Sequence, residues 1–227
     1  QKCYPEIMIR DIHCRGCGAC VRVCPQKAIT MTKKDGRKID RRKCDSCLVC
    51  VESCLYHSLN RCGQYLSVRE VLDEVMQDRL FYKNSGGGVT ISGGEPLAQS
   101  RFVCNLLSEC KKEGLHTAVE TSGQGVWTEM ERMLCFIDLL LFDIKHLDSE
   151  QHEKMTGVRN DLLLKNLQKA AAMKPVWLRV PLIAGFNDSE AHIKEIAALG
   201  KKVKAQKISL LPYHEGGKSK CEQLGVI

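Results

Sequence analysis

No stretch of the chain reaches the roughly 18 uninterrupted apolar residues that a membrane-spanning helix requires. The longest candidate, Met133 to Phe142, is broken by Asp138. Nothing resembling a secretory signal peptide precedes the first cysteines, and 227 residues with 44% hydrophobic content can build a core without disulfide staples. The cysteines are therefore expected as thiols in a reducing compartment, the cytoplasm, with no membrane partner. Aromatic residues make up only 5% of the chain. None of them interleaves the basic run Lys33, Lys34, Arg37, Lys38, Arg41, Arg42 and Lys43, so bases have no stacking platform and nucleic acid is not an expected partner. There is also no initiator Met, and residues 1 to 13 read as the tail of a preceding segment.

Cysteine is what the sequence has in abundance, at 14 residues. Eight of them fall into two runs, Cys14-Arg-Gly-Cys17-Gly-Ala-Cys20-Val-Arg-Val-Cys24-Pro25 and Cys44-Asp-Ser-Cys47-Leu-Val-Cys50-Val-Glu-Ser-Cys54. Each run has the spacing C-x2-C-x2-C-x3-C, in which three thiolates hold one iron-sulfur cube and the fourth reaches its neighbour. The crossing assigns Cys14, Cys17, Cys20 and Cys54 to one [4Fe-4S] cluster, and Cys44, Cys47, Cys50 and Cys24 to a second. Pro25 follows the first run as the pattern expects, whereas Leu55 follows the other. Structural zinc needs four ligands per ion and leaves the third and fourth cysteine of each run unexplained. The remaining cysteines, Cys3, Cys62, Cys104, Cys110, Cys135 and Cys221, share no ligand spacing and are expected in packing roles.

The formal net charge is +7 and is concentrated in the basic run between the two halves, where only Asp35 and Asp40 offset it. The plain reading is a solvated hairpin over residues 29 to 40 with Asp35-Gly36 as its turn. The functional reading is a surface that steers an acidic electron donor. The ferredoxin-like module is expected to span residues 3 to 62, and a second domain residues 65 to 227.

That second domain opens on a capping box, Ser67-Val-Arg-Glu70, followed by Val68, Val71, Leu72, Val75, Met76 and Leu80 at helical spacing. Short apolar strands at 89–92, 116–121, 137–145, 177–182 and 207–211 then alternate with helical stretches, which predicts a parallel sheet with helical crossovers. The run from Ile137 to Lys145 is nearly continuous in apolar residues and is expected to be buried on both faces. Each strand ends in groups that a buried strand has no structural use for: Glu95, then Glu120 and Thr121, Asp143 and Lys145, Arg179, and His214. Carboxyl ends of parallel strands are where barrel folds place their chemistry, so one pocket lined by both signs of charge is expected. An ion pair of Asp143 with Arg179 is the purely structural alternative. The turn Ser92-Gly93-Gly94-Glu95-Pro96 lets the backbone approach a ligand closely and sets a carboxylate beside it.

Taken together, Ser92-Gly93-Gly94-Glu95-Pro96, Glu120-Thr121-Ser122-Gly123, Asp143-Ile144-Lys145, Trp177-Leu178-Arg179 and Leu210-Leu211-Pro212-Tyr213-His214 resemble the radical S-adenosylmethionine enzymes that activate glycyl radical enzymes. This group includes the pyruvate formate-lyase activating enzymes, and the chain is most similar to the type with a two-cluster ferredoxin-like insert. The resemblance implies an α/β fold, a partial (β/α) barrel with the cluster module inserted. It implies S-adenosylmethionine as cosubstrate, a glycyl radical enzyme as target, and a flavodoxin- or ferredoxin-like electron donor. It places Gly93, Gly94 and Glu95 at the methionyl amino group, Lys145 and Arg179 at its carboxylate, and His214 near the adenosyl part, with Asp143 and Ile144 of the Asp143-Ile144-Lys145 motif among the cosubstrate-binding residues. Glu120 and Asp143 resemble a monovalent-cation site. The family's C-x3-C-x2-C triplet, which holds a further [4Fe-4S] cluster, is absent here, so no catalytic residue is assigned. The chain is expected to be a fragment that is inactive alone and lacks the first barrel strand, leaving an exposed sheet edge. The competing class is a ferredoxin-type electron carrier with a fused ligand-binding barrel.

Overall fold

The computed structural model describes residues 4–32, 34, 36–213 and 216–225. Two compact units emerge, one of residues up to Tyr65 together with the segment from His214 onward, the other Leu66–Tyr213. The boundary near 65 falls where the sequence texture changes. The C-terminal segment, which the sequence reading left with the barrel, instead belongs to the first unit.

The first unit is a pair of similar halves. Strand β1 (Glu6–Ile9) leads through a 3-10 turn to helix α1 (Ala19–Val23), and β2 (Ile29–Thr32) follows. Strand β3 (Gly36–Ile39), helix α2 (Val49–Glu52) and strand β4 (Leu59–Cys62) repeat that order. The sheets are swapped between halves, β1 pairing antiparallel with β4 and β2 with β3. Asp35 lies outside the described residues, so the hairpin is seen only in its strands.

Local geometry repeats at an offset of 30 residues. The left-handed positions Gly16, Gly18 and Lys27 recur as Ser46, Leu48 and His57. The amide of Arg10 donates to the Ser58 carbonyl and that of Asp40 to the Ala28 carbonyl, both at 2.8 Å. Left-handed backbone is uncommon for a residue such as Leu48, and it persists only where the surroundings impose it. Here it lets α2 start immediately after Cys47. The unit's core is small and rich in sulfur: Ile7, Cys20, Ile29, Cys50 and Leu59 are buried, with Cys24, Cys44 and Cys54 packed against them.

The second unit begins with α3 (Val68–Met76), whose capping box forms as expected: Glu70 N–H donates to Ser67 Oγ at 3.2 Å, and Ser67 N–H to Glu70 Oε2 at 2.7 Å. Its apolar stripe packs with Leu106, Cys110 and Leu115. Leu80 does not join that stripe. It lies on the next helix, α4 (Arg79–Ser85), and is 73% exposed. Five strands then run in sequential order, all parallel: β5 (Gly88–Ile91), β6 (His116–Thr121), β7 (Leu139–Asp143), β8 (Val176–Leu182) and β9 (Lys207–Pro212). Between them lie α5 (Ser100–Lys112), α6 (Trp127–Leu134), α7 (Ser149–Thr156), α8 (Asp161–Ala171) and α9 (Glu190–Lys202). The final helix, α10 (Gly216–Leu224), packs on β1 of the first unit.

Register sorts the strand side chains. Val119, Leu140, Phe142, Ile144, Leu178 and Val180 are fully buried and form one cluster with Leu107, Met133, Leu167 and Ile196 of the helices. The other face carries Glu120, Leu141, Asp143, Trp177 and Arg179, all only partly covered. The expectation that residues 137 to 145 are buried on both faces is corrected accordingly. Helices cover one face of β7, and the residues of the opposite face are only partly covered, in a sheet whose two outer strands, β5 and β9, do not pair with each other among the described residues. Among the spare cysteines Cys110 is buried in packing as expected, while Cys135 is exposed.

Candidate functional site

The site on the second unit lies at the carboxyl ends of β5 to β8. Asp143 and Arg179 are direct register partners on β7 and β8, so their side chains leave the same face of the sheet. Arg179 Nη1 forms an ion pair with Glu120 of β6, and its Nε stands 3.8 Å from Asp143 Oδ1. Lys145 Nζ stands 3.5 Å from Asp143 Oδ2. Ser92, at the start of the glycine turn, donates to Glu120 Oε2 at 2.9 Å. The site is therefore a row of alternating charges, carboxylate, guanidinium, carboxylate, ammonium, across three strands.

Burial pushes the Asp143 carboxyl above its ordinary range, Lys145 and Arg179 pull it back, and Glu120 pushes it further up. Asp143 Oδ1 is buried and accepts no hydrogen bond. Such an acceptor is costly to leave unpaired and is one place where a ligand donor fits. The sequence expected Glu120 and Asp143 to resemble a monovalent-cation site. Arg179 now bridges these two carboxylates, so any cation there competes with a guanidinium already in place.

Glu95 is engaged by the turns around it. Its Oε1 accepts from Leu97 N–H at 3.2 Å and from the Thr121 hydroxyl, while its Oε2 accepts from Ser122 N–H at 2.9 Å and Ser122 Oγ at 2.6 Å. These donors occupy both oxygens of the carboxylate. Glu95 thus ties the turn after β5 to the turn after β6. Beside it Gly93 takes a φ of +118°, a conformation open to glycine and closed to side chains. Gly123 takes +72°, and a Cβ there would meet the Phe142 ring at 2.1 Å. Ile144 has no exposed side chain, and its amide donates to the Arg179 carbonyl at 2.8 Å. His214 lies outside the described residues.

Two buried asparagines missed in the sequence hold this end of the sheet. Asn187 Nδ2 donates to the carbonyls of Lys145 and Pro181, both at 2.8 Å, and its Oδ1 accepts from Ile183 N–H at 2.7 Å. One side chain thereby fixes the segments that follow β7 and β8. Asn166 does the same for the loop after β6, donating to the carbonyls of Gly123 and Gly125 at 2.9 Å each. The Asn187-Asp188-Ser189 segment signals only a turn and a helix cap, so nothing local pointed to these contacts. Behind Lys145, His146 stacks on His192 with ring centroids 4.3 Å apart.

The cysteines of the first unit come together across its two halves. A small cleft is lined by Cys14, Cys17, Cys20 and, from the far half, Cys54, with Arg37, Tyr56 and Ser58 beside them. On the opposite side, burial pushes the Cys50 thiol up to about 11, and Cys44, Cys24 and Cys47 add to the rise as close electrostatic neighbours. Exposure matches between halves: Cys17 and Cys47 are exposed, Cys20 and Cys50 buried. Among the described residues no group of three or more His, Cys, Asp or Glu is arranged around a single metal ion. A zinc site would require such an arrangement. A four-iron cube does not, because each thiolate binds a different iron and the sulfurs stand apart. Ala28 N–H donates to Cys24 Sγ at 3.3 Å, the type of bond that steadies a thiolate ligand. The donor set, with its soft sulfurs and partly apolar walls, fits iron-sulfur clusters.

Comparison with known proteins follows the same two parts. Residues 13–58 match the 4Fe-4S dicluster domain and residues 41–197 match the Radical SAM superfamily. The chain belongs to the radical SAM activating enzymes of glycyl radical enzymes. It is 44% identical over 208 residues to the isethionate sulfite-lyase activating enzyme of Nitratidesulfovibrio vulgaris, covering 90% of this chain and 67% of that one. It is 37% identical over 233 residues to the (2S)-3-sulfopropanediol dehydratase activating enzyme of Klebsiella oxytoca, covering 98% of this chain and 73% of the relative. Among solved structures, a domain of the pyruvate-formate lyase-activating enzyme from Bacteroides vulgatus superposes with a TM-score of 0.52 at 34% identity, over 62% of this chain and 94% of that one. The activating-enzyme fold expected from the sequence, a radical SAM sheet with a ferredoxin-like module, is the fold found. None of the helices among the described residues is long and apolar enough to cross a membrane.

Proposed function

We propose that this chain carries the electron-entry and cosubstrate-binding parts of an enzyme that reductively cleaves S-adenosylmethionine. The resulting 5′-deoxyadenosyl radical takes a hydrogen atom from a backbone glycine of a partner glycyl radical enzyme. The observation that carries this reading is the charged row Glu120, Arg179, Asp143 and Lys145 beside the Gly93-Gly94 turn, in a chain that also holds two sets of four cysteines. An electron carrier with a fused barrel has no use for such a row.

The residues act as follows in this reading. Gly93 and Gly94 bring backbone close to the methionyl ammonium, with Glu95 bracing the turn. Lys145 and Arg179 face the carboxylate, Arg179 turning part of its guanidinium away from Glu120, and His214 attends the adenosyl part. Asp143 and Ile144 hold the strand end in register. Four-iron clusters at Cys14, Cys17, Cys20 and Cys54 and at Cys44, Cys47, Cys50 and Cys24 supply one-electron transfer at low potential. A flavodoxin- or ferredoxin-like protein is the donor, and an oxygen-poor cytoplasm suits the thiolates.

The sequence contains no C-x3-C-x2-C triplet, and all eight paired cysteines are used by two closed sets. Reconstituted without oxygen, the 227-residue chain is expected to bind about 8 iron atoms. S-adenosylmethionine binding should be weak but measurable by calorimetry, and dithionite should yield no 5′-deoxyadenosine. Absence of any binding would defeat the proposed pocket. Turnover by this chain alone would mean that one of the two clusters is catalytic rather than a relay.

A further inference from the structure

The two cysteine sets sit in halves that repeat at an offset of 30 residues, yet one buried position breaks the repeat. Arg37 on β3 corresponds to Ile7 on β1, and both are buried. The Arg37 side chain is 2% exposed and lines the cavity of Cys14, Cys17, Cys20 and Cys54. Its Nη2 is fully engaged, donating to Asp11 Oδ1 and Ser58 Oγ at 2.8 Å and to the Ser58 carbonyl at 3.2 Å. Its Nε is buried without an oxygen or nitrogen acceptor, and the guanidinium stands within hydrogen-bonding reach of the Cys20 thiol. A folding role alone accounts for the bonds of Nη2 but not for a guanidinium turned toward a cluster cysteine, where the other half manages with isoleucine.

We infer that Arg37 sets the two clusters apart in reduction potential, making the cluster held by Cys14, Cys17, Cys20 and Cys54 the more easily reduced. Reduction adds one electron, supplied by a low-potential one-electron donor, and hence one unit of negative charge, with no bond broken and no proton required. A fixed positive charge and an N–H directed at cluster sulfurs both favour the reduced form. Because Arg37 is buried, solvent and salt screen it poorly. The surrounding charges reinforce the difference at matching positions. Arg15 lines the first cavity where the second half has Asp45. Arg61, near Cys44, is exposed and screened. Asp11, which offsets Arg37 in part, is 65% exposed.

The inference rests on the two-cluster reading, and the test separates the two. In the reconstituted full chain, iron content and a redox titration followed by electron paramagnetic resonance should show two waves. Half the iron would defeat the cluster assignment itself, whereas a single wave with the full iron content would mean two clusters of equal potential and would overturn the inference about Arg37. With two waves present, Arg37→Met should lower the upper wave and narrow the gap, while Arg37→Lys should keep most of it. Asp11→Asn, a surface change that leaves Arg37 uncompensated, should widen the gap and serves if the methionine variant does not fold. A gap unmoved by Asp11→Asn, or two waves that shift together in the Arg37 variants, would overturn the assignment to Arg37.

Discussion

Asp143 and Arg179 face each other across β7 and β8, but the guanidinium gives its shorter contact to Glu120, one strand further away. This leaves Asp143 Oδ1 buried without a hydrogen bond. Arg179 therefore has two tasks, compensating two carboxylates and meeting a ligand carboxylate. Arg179→Ala and Lys145→Ala should each weaken S-adenosylmethionine binding by about 1.5 to 3 kcal/mol, the worth of a charge-assisted hydrogen bond. The Arg179 variant should lower thermal stability more than the Lys145 variant, because it leaves Glu120 and Asp143 facing each other. Lys145→Met should bind like Lys145→Ala if charge is what counts. Calorimetry showing unchanged affinity in both alanine variants would remove these residues from the pocket.

Cys24 sits in the first sequence run but neighbours Cys50 and Cys47 of the second. Cys24→Ala should therefore damage the cluster of Cys44, Cys47 and Cys50 and spare the spectrum of the other. Loss confined to the cluster of Cys14, Cys17 and Cys20 would reverse the crossing.

Asn187 joins three backbone groups from two loops while being almost fully buried. Removing its amide strands Lys145 O, Pro181 O and Ile183 N, each costing about 1 to 3 kcal/mol where water cannot enter. Asn187→Ala is expected to lose roughly 3 kcal/mol or more in chemical denaturation and to weaken cosubstrate binding further by releasing the Lys145 segment. A variant as stable as the parent would show that these loops are held by other contacts.

Burial, helped by His146, holds the His192 imidazole below its ordinary value, with Glu195 pulling weakly the other way. The unfolded chain then binds the proton more readily than the folded one. Stability from this group is present above the unfolded pKa of about 6.5 and is lost as pH falls below it toward the folded value. His192→Phe should flatten the fall in melting temperature between about pH 7 and pH 5. An equally steep fall in the variant would place the acid sensitivity elsewhere.

The sequence made the parallel sheet legible because strand residues such as Leu140, Phe142, Leu178 and Val180 recur between capped amphipathic helices. It made the strand-end charges legible because Glu120, Asp143 and Arg179 interrupt apolar runs where a structural strand would not. It could not show that Glu95 turns inward, since its donors Thr121 and Ser122 come from another strand end. Asn166 and Asn187 were silent for the same reason: each reaches a backbone carbonyl some 40 residues away, Gly123 and Lys145 respectively, and a backbone carbonyl has no sequence signature. The half-open face of β7 escaped notice because periodicity reports what is apolar, not whether a neighbouring layer arrives to cover it.

In the proposed assignment, the exchange of Cys24 and Cys54 between halves would make each cluster a crosslink as well as a cofactor. Joining Cys20 to Cys54 through such a cube would close a loop of about 34 residues. By analogy with a disulfide of that span, the restraint on the unfolded chain is worth about 4 kcal/mol. The module's own core, Ile7, Ile29 and Leu59 among sulfurs, is too small to replace it. Oxygen that dismantles one cube should therefore unthread the loop that positions the other, and the two should be lost as a pair.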